Sequence, residues 1–186
     1  YNIQENTQLH LLVNPKCLID PETTKIHGLT NIDLDNKPEF KEIIPSILDF
    51  CGIDAYLISH NNIGFDKPFL LSEMKRSGIR RPKNWKFIDT LRLARTIYPE
   101  LNNHKQDTLR KKFNLSCKGN HRANKDVKDL FIIYNNMTQG MTIEEIYKMS
   151  KKFIYTTMPF GKHKGIPLKD IPKDYIQWLV EKILPK

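Results

Sequence analysis

Three short stretches of this 186-residue chain carry side chains that together are able to do chemistry: Ile26-His27-Gly28-Leu29-Thr30, His60-Asn61-Asn62-Ile63-Gly64-Phe65-Asp66 and His121-Arg122-Ala123-Asn124-Lys125-Asp126. Carboxylates such as Asp66 and Asp126 are hard oxygen ligands for divalent cations. A neutral imidazole such as that of His121, titrating near physiological pH, is suited to taking a proton from water. Taken singly, each residue also has a structural reading. Asp66 suits the first turn of a helix, where the dipole favours negative charge, Asp126 suits an exposed helix face, and His121 suits the surface. His60 and Asn61 fit turn chemistry at a strand end. Only a fold that brings the stretches together would make them a site.

The hydrophobic pattern predicts such a fold. Residues 9–13 read as the end of a strand entering the Asn14-Pro15 turn. Phe40, Ile43, Ile44, Ile47 and Leu48 recur at helical spacing, with Pro45 expected to kink the helix or shift its start and Gly52 to end it. A strand over 55–59 leads through Asp66 into a helix with Phe69, Leu70 and Met74 on one face and Gly78 as its stop. A second strand over 86–88 leads into a helix with Leu91, Ala94 and Ile97 on one face, and a shorter helix over 108–113 follows. The next helix, over 123–137, carries an apolar stripe of Ala123, Val127, Leu130, Phe131 and Tyr134. Strands alternating with helices imply an α/β layer fold. Five residues turn a helix through about 140° beyond one full turn, so His121 belongs in the loop before that helix and Asp126 in its first turns.

In this order, with His60 after a strand, Asp66 opening a helix and His121 ahead of the long helix, the stretches resemble the second and third motifs of the DEDDh, or DnaQ-like, 3′-to-5′ exonucleases. Phe87-Ile88-Asp89-Thr90-Leu91 fits the same pattern, and the resemblance runs to about Met137. It implies an α/β, ribonuclease H-like exonuclease fold over residues 1–140, with a mixed sheet flanked by helices. It also implies hydrolysis of DNA from the 3′ end by two cations, Mg2+ or Mn2+, about 3.5–4 Å apart. Asp66 and Asp126 would be metal ligands and His121 the base, while Glu22, His27, His60 and Asn61 would meet or shape the substrate. Phe65 reads as core.

The family's first motif, Asp-x-Glu on the opening strand, puts both carboxylates on one face by period-two alternation. It is expected upstream of Tyr1. Asp20-Pro21-Glu22 imitates it, but Pro21 is unsuited to the centre of a sheet and Ile26-His27-Gly28 follows too closely. The 186 residues are therefore expected to lack the first strand, to fold poorly alone and to hydrolyse little. The alternative is a non-catalytic nucleic-acid-binding remnant of such an enzyme.

Met158-Pro159-Phe160-Gly161-Lys162-His163-Lys164-Gly165, with Ile171-Pro172 and Tyr175-Ile176-Gln177-Trp178-Leu179, resembles the tail of exonuclease X-like proteins. It forms a small α+β module over 154–186, joined by a linker helix over 141–153 and ending in a helix over 172–183. Lys162 and Lys164 are placed to touch phosphate, and Trp178 suits either a binding face or the module's own core. Thirty Lys+Arg against 21 Asp+Glu, a net charge of +9, favour a polyanionic partner, DNA first and RNA second. Cys17, Cys51 and Cys117 show no metal or disulfide spacing, and no apolar run approaches the roughly 20 residues of a membrane span, so the chain reads as cytosolic.

Overall fold

The computed structural model describes residues 1–116, 123–158 and 161–182, with residues 123 and 124 described by backbone alone. His121, Cys117, Pro159, Phe160 and Ile183 lie outside the described residues. Two compact units succeed each other along the chain, Tyr1–Lys151 and Lys152–Lys186.

The first unit is organised on two parallel strands, β1 (Tyr56–Ser59) and β2 (Lys86–Asp89), in register from Tyr56 opposite Lys86 to Ser59 opposite Asp89. Parallel neighbours need a crossover, and helix α4 (Asp66–Arg76) lies in it. Alternation along the strands divides the core in two. Tyr56, Ile58 and Ile88 join Leu93, Ala94, Leu109, Ile133, Tyr134, Met137 and Ile146 in one cluster, whereas Leu57 and Phe87 pack with Ile44, Met74 and Trp85 in the other. The first is built from α5 (Thr90–Ile97), α6 (Gln106–Lys112), α7 (Ala123–Thr138) and α8 (Ile143–Lys152), the second from α3 (Phe40–Cys51) and α4. Each fully buried Ile or Leu contributes about 1.5–3 kcal/mol. These clusters hold the ends of β1 and β2 still.

Several local expectations change. Residues 8–15 form no strand; Asn14 N–H instead donates to the Pro38 carbonyl at 2.9 Å. Asp20-Pro21-Glu22 opens helix α1 (Pro21–His27): Asp20 caps it by accepting from Glu22 N–H at 2.7 Å, Pro21 takes the first turn, and Gly28 ends it at φ 77°. Glu22 and His27 thus lie on a helix, and the Asp-x-Glu imitation is a helix cap. Helix α3 runs through Pro45 without losing its expected start. On α4, Leu70 and Met74 face the core four residues apart, while Phe69, about 100° round the helix, is 57% exposed. On α7 the apolar face is Ile133, Tyr134 and Met137, and Val127 is exposed. The N-terminal half of that face is taken by an ion network instead. Helix α8 contributes Ile146 to the core of the first unit.

In the second unit, Thr157 and Pro167 form an antiparallel bridge, a 3-10 helix spans Leu168–Asp170, and α9 (Lys173–Lys182) closes the chain's described part. Its core is Met158, Ile171 and Leu179.

Candidate active site

The turn between β1 and α4 hangs from the ends of both strands. Asp89, the last residue of β2, is 2% exposed, and its carboxylate accepts N–H bonds from Asn61 at 3.1 Å, Ile63 at 3.1 Å and Leu91 at 3.0 Å. Its own N–H donates to Ser150 Oγ at 2.9 Å. The Asn62 amide donates to the carbonyls of Leu57 and Ile88, each at 3.0 Å, and so ties the turn to both strands. Asn61 itself adopts φ 68°, and a Cβ at Gly64 would lie 2.6 Å from Asn61 Oδ1. Only glycine fits there without movement. Asp66 leaves this turn as the first residue of α4, beyond the carboxyl ends of the parallel strands, where open α/β sheets gather their ligands.

Asp66 is surface-exposed as a residue, yet crowding of its carboxyl pushes the pKa above the ordinary aspartate value, chiefly by desolvation. Asp89 adds like-charge repulsion; the Ser59 hydroxyl opposes the shift without forming a well-directed hydrogen bond. A carboxyl in this state gains from a nearby cation. His60 is turned inward. His60 Nδ1 and Thr90 Oγ1 are hydrogen-bonded at 3.0 Å, and the Thr90 hydroxyl lies 3.3 Å from the Ser59 carbonyl. Burial, with the Arg95 and His104 charges, holds the His60 pKa below the ordinary value against the pull of the His104 carbonyl and Asp89. The folded state then binds fewer protons than the unfolded state at mildly acid pH. Unfolding free energy is expected to fall as pH drops below about 6.5, levelling once the folded pKa is passed. Urea titrations of the wild type and His60→Gln check this: a pH slope in that window unchanged by the substitution would exclude His60 as its source.

Asp126 lies in the first turn of α7, where its Oδ1 accepts from Arg110 Nη2 at 2.7 Å. Arg110 is 2% exposed and also donates to Asp129 at 2.8 Å and Asp107 at 2.6 Å, and Lys125 makes a second bond to Asp129. Desolvation works to raise the Asp129 pKa, but the Lys125 and Arg110 hydrogen bonds prevail and hold it below the ordinary value. Glu22 is exposed and paired with Lys25 at 2.5 Å, and His27 Nδ1 accepts from Leu29 N–H at 2.9 Å. Lys162 and Lys164 belong to the second unit.

The groups that surround Asp66 are thus Ser59 and Asp89, and those that surround Asp126 are Arg110 and Gln106. Among the described residues no group of three or more His, Cys, Asp or Glu side chains is placed to hold a metal ion. Two carboxylates do not fit a two-cation centre by themselves. The residues missed by pattern reading are Asn62 and Asp89. An Asp-Thr pair at a strand end opening a helix was the available signal for the second; nothing marked which of His60, Asn61 and Asn62 points inward.

A family model described as Exonuclease matches residues 2–134, and the chain belongs to this family, the DnaQ-like exonucleases. It is 28% identical to the DNA polymerase III PolC-type of Caldanaerobacter subterraneus over 91% of this chain and 11% of the relative. It is 36% identical to the DNA polymerase III subunit epsilon of Rickettsia prowazekii over 77% of this chain and 62% of the relative. The chain therefore spans a small part of the PolC-type relatives and less than two thirds of this epsilon subunit. Exonuclease X in complex with 5′ overhanging duplex DNA shares the fold, with a TM-score of 0.53 and 23% identity over 75% of this chain and 78% of that one. A second family model, whose description names a quorum-sensing-regulated virulence factor, matches residues 147–186. No helix among the described residues is long and apolar enough to cross a membrane.

Proposed function

We propose that this exonuclease domain releases nucleotides from the 3′ ends of DNA by metal-dependent phosphodiester hydrolysis. The observation that carries the reading is Asp66, presented at the start of α4 on a turn that Asp89 and Asn62 fasten to both strands. That relatives are named as DNA polymerase III components, and that a protein of like fold is described with duplex DNA, supports DNA over RNA as substrate. Magnesium or manganese, when bound, would supply activated water and neutralise developing charge. Asp66 and Asp126 are this chain's ligands for it. Apart from the helix cap Asp20-Pro21-Glu22, the 186 residues contain no Asp-x-Glu.

The chain's own residues divide the remaining work. His121 takes the proton of the attacking water. Glu22 and His27 border the terminal nucleotide, and Asn61, with His60 bonded behind it, shapes the turn that faces it. Residues 1–140 act as the exonuclease domain, 141–153 as the connecting helix and 154–186 as a module whose Lys162 and Lys164 touch phosphate.

The 186-residue chain is expected to release little or no label from a 3′-labelled oligonucleotide with either metal. A polypeptide extended by an Asp-x-Glu strand ahead of Tyr1 should release it, and His121→Ala should slow that release by about 10²–10⁴-fold. Robust, His121-dependent digestion by the 186 residues alone would contradict the incomplete metal set. Release from the extended polypeptide that ignores both Asp66→Asn and His121→Ala would overturn the catalytic assignment. The second reading, a non-catalytic nucleic-acid-binding protein, is favoured by the engagement of Asp126 with Arg110; its signature is binding by the extended polypeptide without release.

A further inference from the structure

The second unit carries an aromatic group in which Tyr175 packs against the unit's own core while Trp178 does not. Residues 161–166 form a tightly tied turn: Gly165 N–H donates to the Met158 carbonyl and Met158 N–H to that of Ile166, both at 2.8 Å, and Ile166 N–H donates to that of His163 at 3.1 Å. Gly161, at φ 73°, lies so close to α9 that a Cβ there would meet Tyr175 Oη at 2.6 Å. The turn is therefore pressed against Tyr175. His163 meets the Tyr175 ring edge-on at 4.5 Å, and Tyr175 lies 5.6 Å from Trp178 at 31°. Leu179, not Trp178, fills the core, and Trp178 stays 47% exposed. The reading of Trp178 as a core residue is thereby set aside.

Charge surrounds this face unevenly. Exposed Lys162 and Lys164 flank His163 on the turn, and Lys182 stands one helical turn beyond Trp178. Asp174 and Glu181 border Trp178 on the opposite flank of α9 and set the far edge of the face. Exposed Ile176 and Val180 lie about 160° round the helix from Trp178 and so belong to a different surface. Rings beside ammonium groups, away from the apolar stripe, match a ligand that is itself flat and anionic. We propose that His163, Tyr175 and Trp178 form a stacking platform for unpaired bases of single-stranded nucleic acid, with Lys162 and Lys164 on the adjoining phosphates. This deepens the nucleic-acid reading above and needs no hydrolysis.

The test uses the 186-residue chain in EDTA with a fluorescent oligothymidylate. Trp178→Ala is expected to weaken binding about 5- to 100-fold, and Trp178→Phe to keep most of the affinity. Lys162→Glu with Lys164→Glu should reduce the slope of log affinity against log salt by about 1.4, at roughly 0.7 per phosphate contact on a single strand. Trp85 is 3% exposed, so quenching of indole fluorescence on binding should report Trp178 and vanish in Trp178→Phe. Circular dichroism of each variant separates loss of binding from loss of folding. Affinity unchanged in folded Trp178→Ala, blunt duplex bound as tightly as the single strand, or binding to anionic lipid vesicles without binding to the oligonucleotide would each overturn the platform. Because the assay excludes metal, a failed exonuclease assignment leaves it standing, and a failed platform leaves that assignment untouched.

Discussion

Arg110→Ala is expected to remove about 3–5 kcal/mol of stability, measured as a shift in the urea midpoint at constant m-value. The guanidinium is buried and places its planar fork among Asp107, Asp126 and Asp129. Its loss would leave three carboxylates facing one another, with Lys125 still bonded to Asp129. A domain's whole stability is about 5–15 kcal/mol, so the loss would be a large fraction of it. Arg110→Lys should recover only part, because an ammonium cannot reach three carboxylates as a fork does. If the cost is uncompensated charge, Asp129→Asn in the Arg110→Ala background should return about 1 kcal/mol or more, whereas additive effects would point to lost packing instead.

The pH dependence of that difference carries its own sign. Asp129 is held below the ordinary carboxylate range, so its contribution is complete above the unfolded value of about 3.9 and is lost as pH falls through the folded value. The gap between wild type and Arg110→Ala should therefore narrow in strong acid. The same network orients Asp126 through Arg110 at 2.7 Å, so the candidate metal ligand depends on a residue that touches no substrate in the proposed reaction.

What the sequence made legible follows from period and punctuation. β1, β2 and α5 were readable because short apolar runs mark the two strands and helical spacing, closed by Pro99, marks the helix. The Asp20-Pro21-Glu22 decoy was rightly refused, but its helix was missed, although Asp followed by Pro is itself an N-terminal signal. Val127 and Phe69 were assigned to core faces and are exposed. Apolar spacing shows that a helix has an inner face, but buried ions such as Arg110 with Asp129 can occupy part of it, and Phe69 lies about 100° away from the face that Leu70 and Met74 share. The apolar run at residues 9–13 looked like a strand because pattern cannot show whether a ladder partner stands beside it. The site was legible in its residue types and order. Its anchoring was not, because Asn62 and Asp89 act through backbone groups of residues distant in sequence.

That anchoring makes Asp89 the position where a single atom should matter. Its Oδ1 accepts from Asn61 and Leu91, and its Oδ2 from Ile63. Asp89→Asn preserves volume but sets an NH2 against at least one of those donors, at a cost of about 1–3 kcal/mol. Asp89→Ala strips acceptors from all three and removes the cap of α5, for at least about 3 kcal/mol, a drop in Tm of about 6–12 °C for a chain of this size. The two variants separate local from global damage. In Asp89→Asn, amide exchange at Asn61 and Ile63 should accelerate far more than at Ile88 or Leu93, because the turn detaches while the apolar clusters persist. Exchange at Asn61 and Ile63 as slow as in the wild type would mean that Asn62 alone holds the turn. Asp66 would then owe its position to the Asn62 bridge between Leu57 and Ile88 rather than to the buried carboxylate.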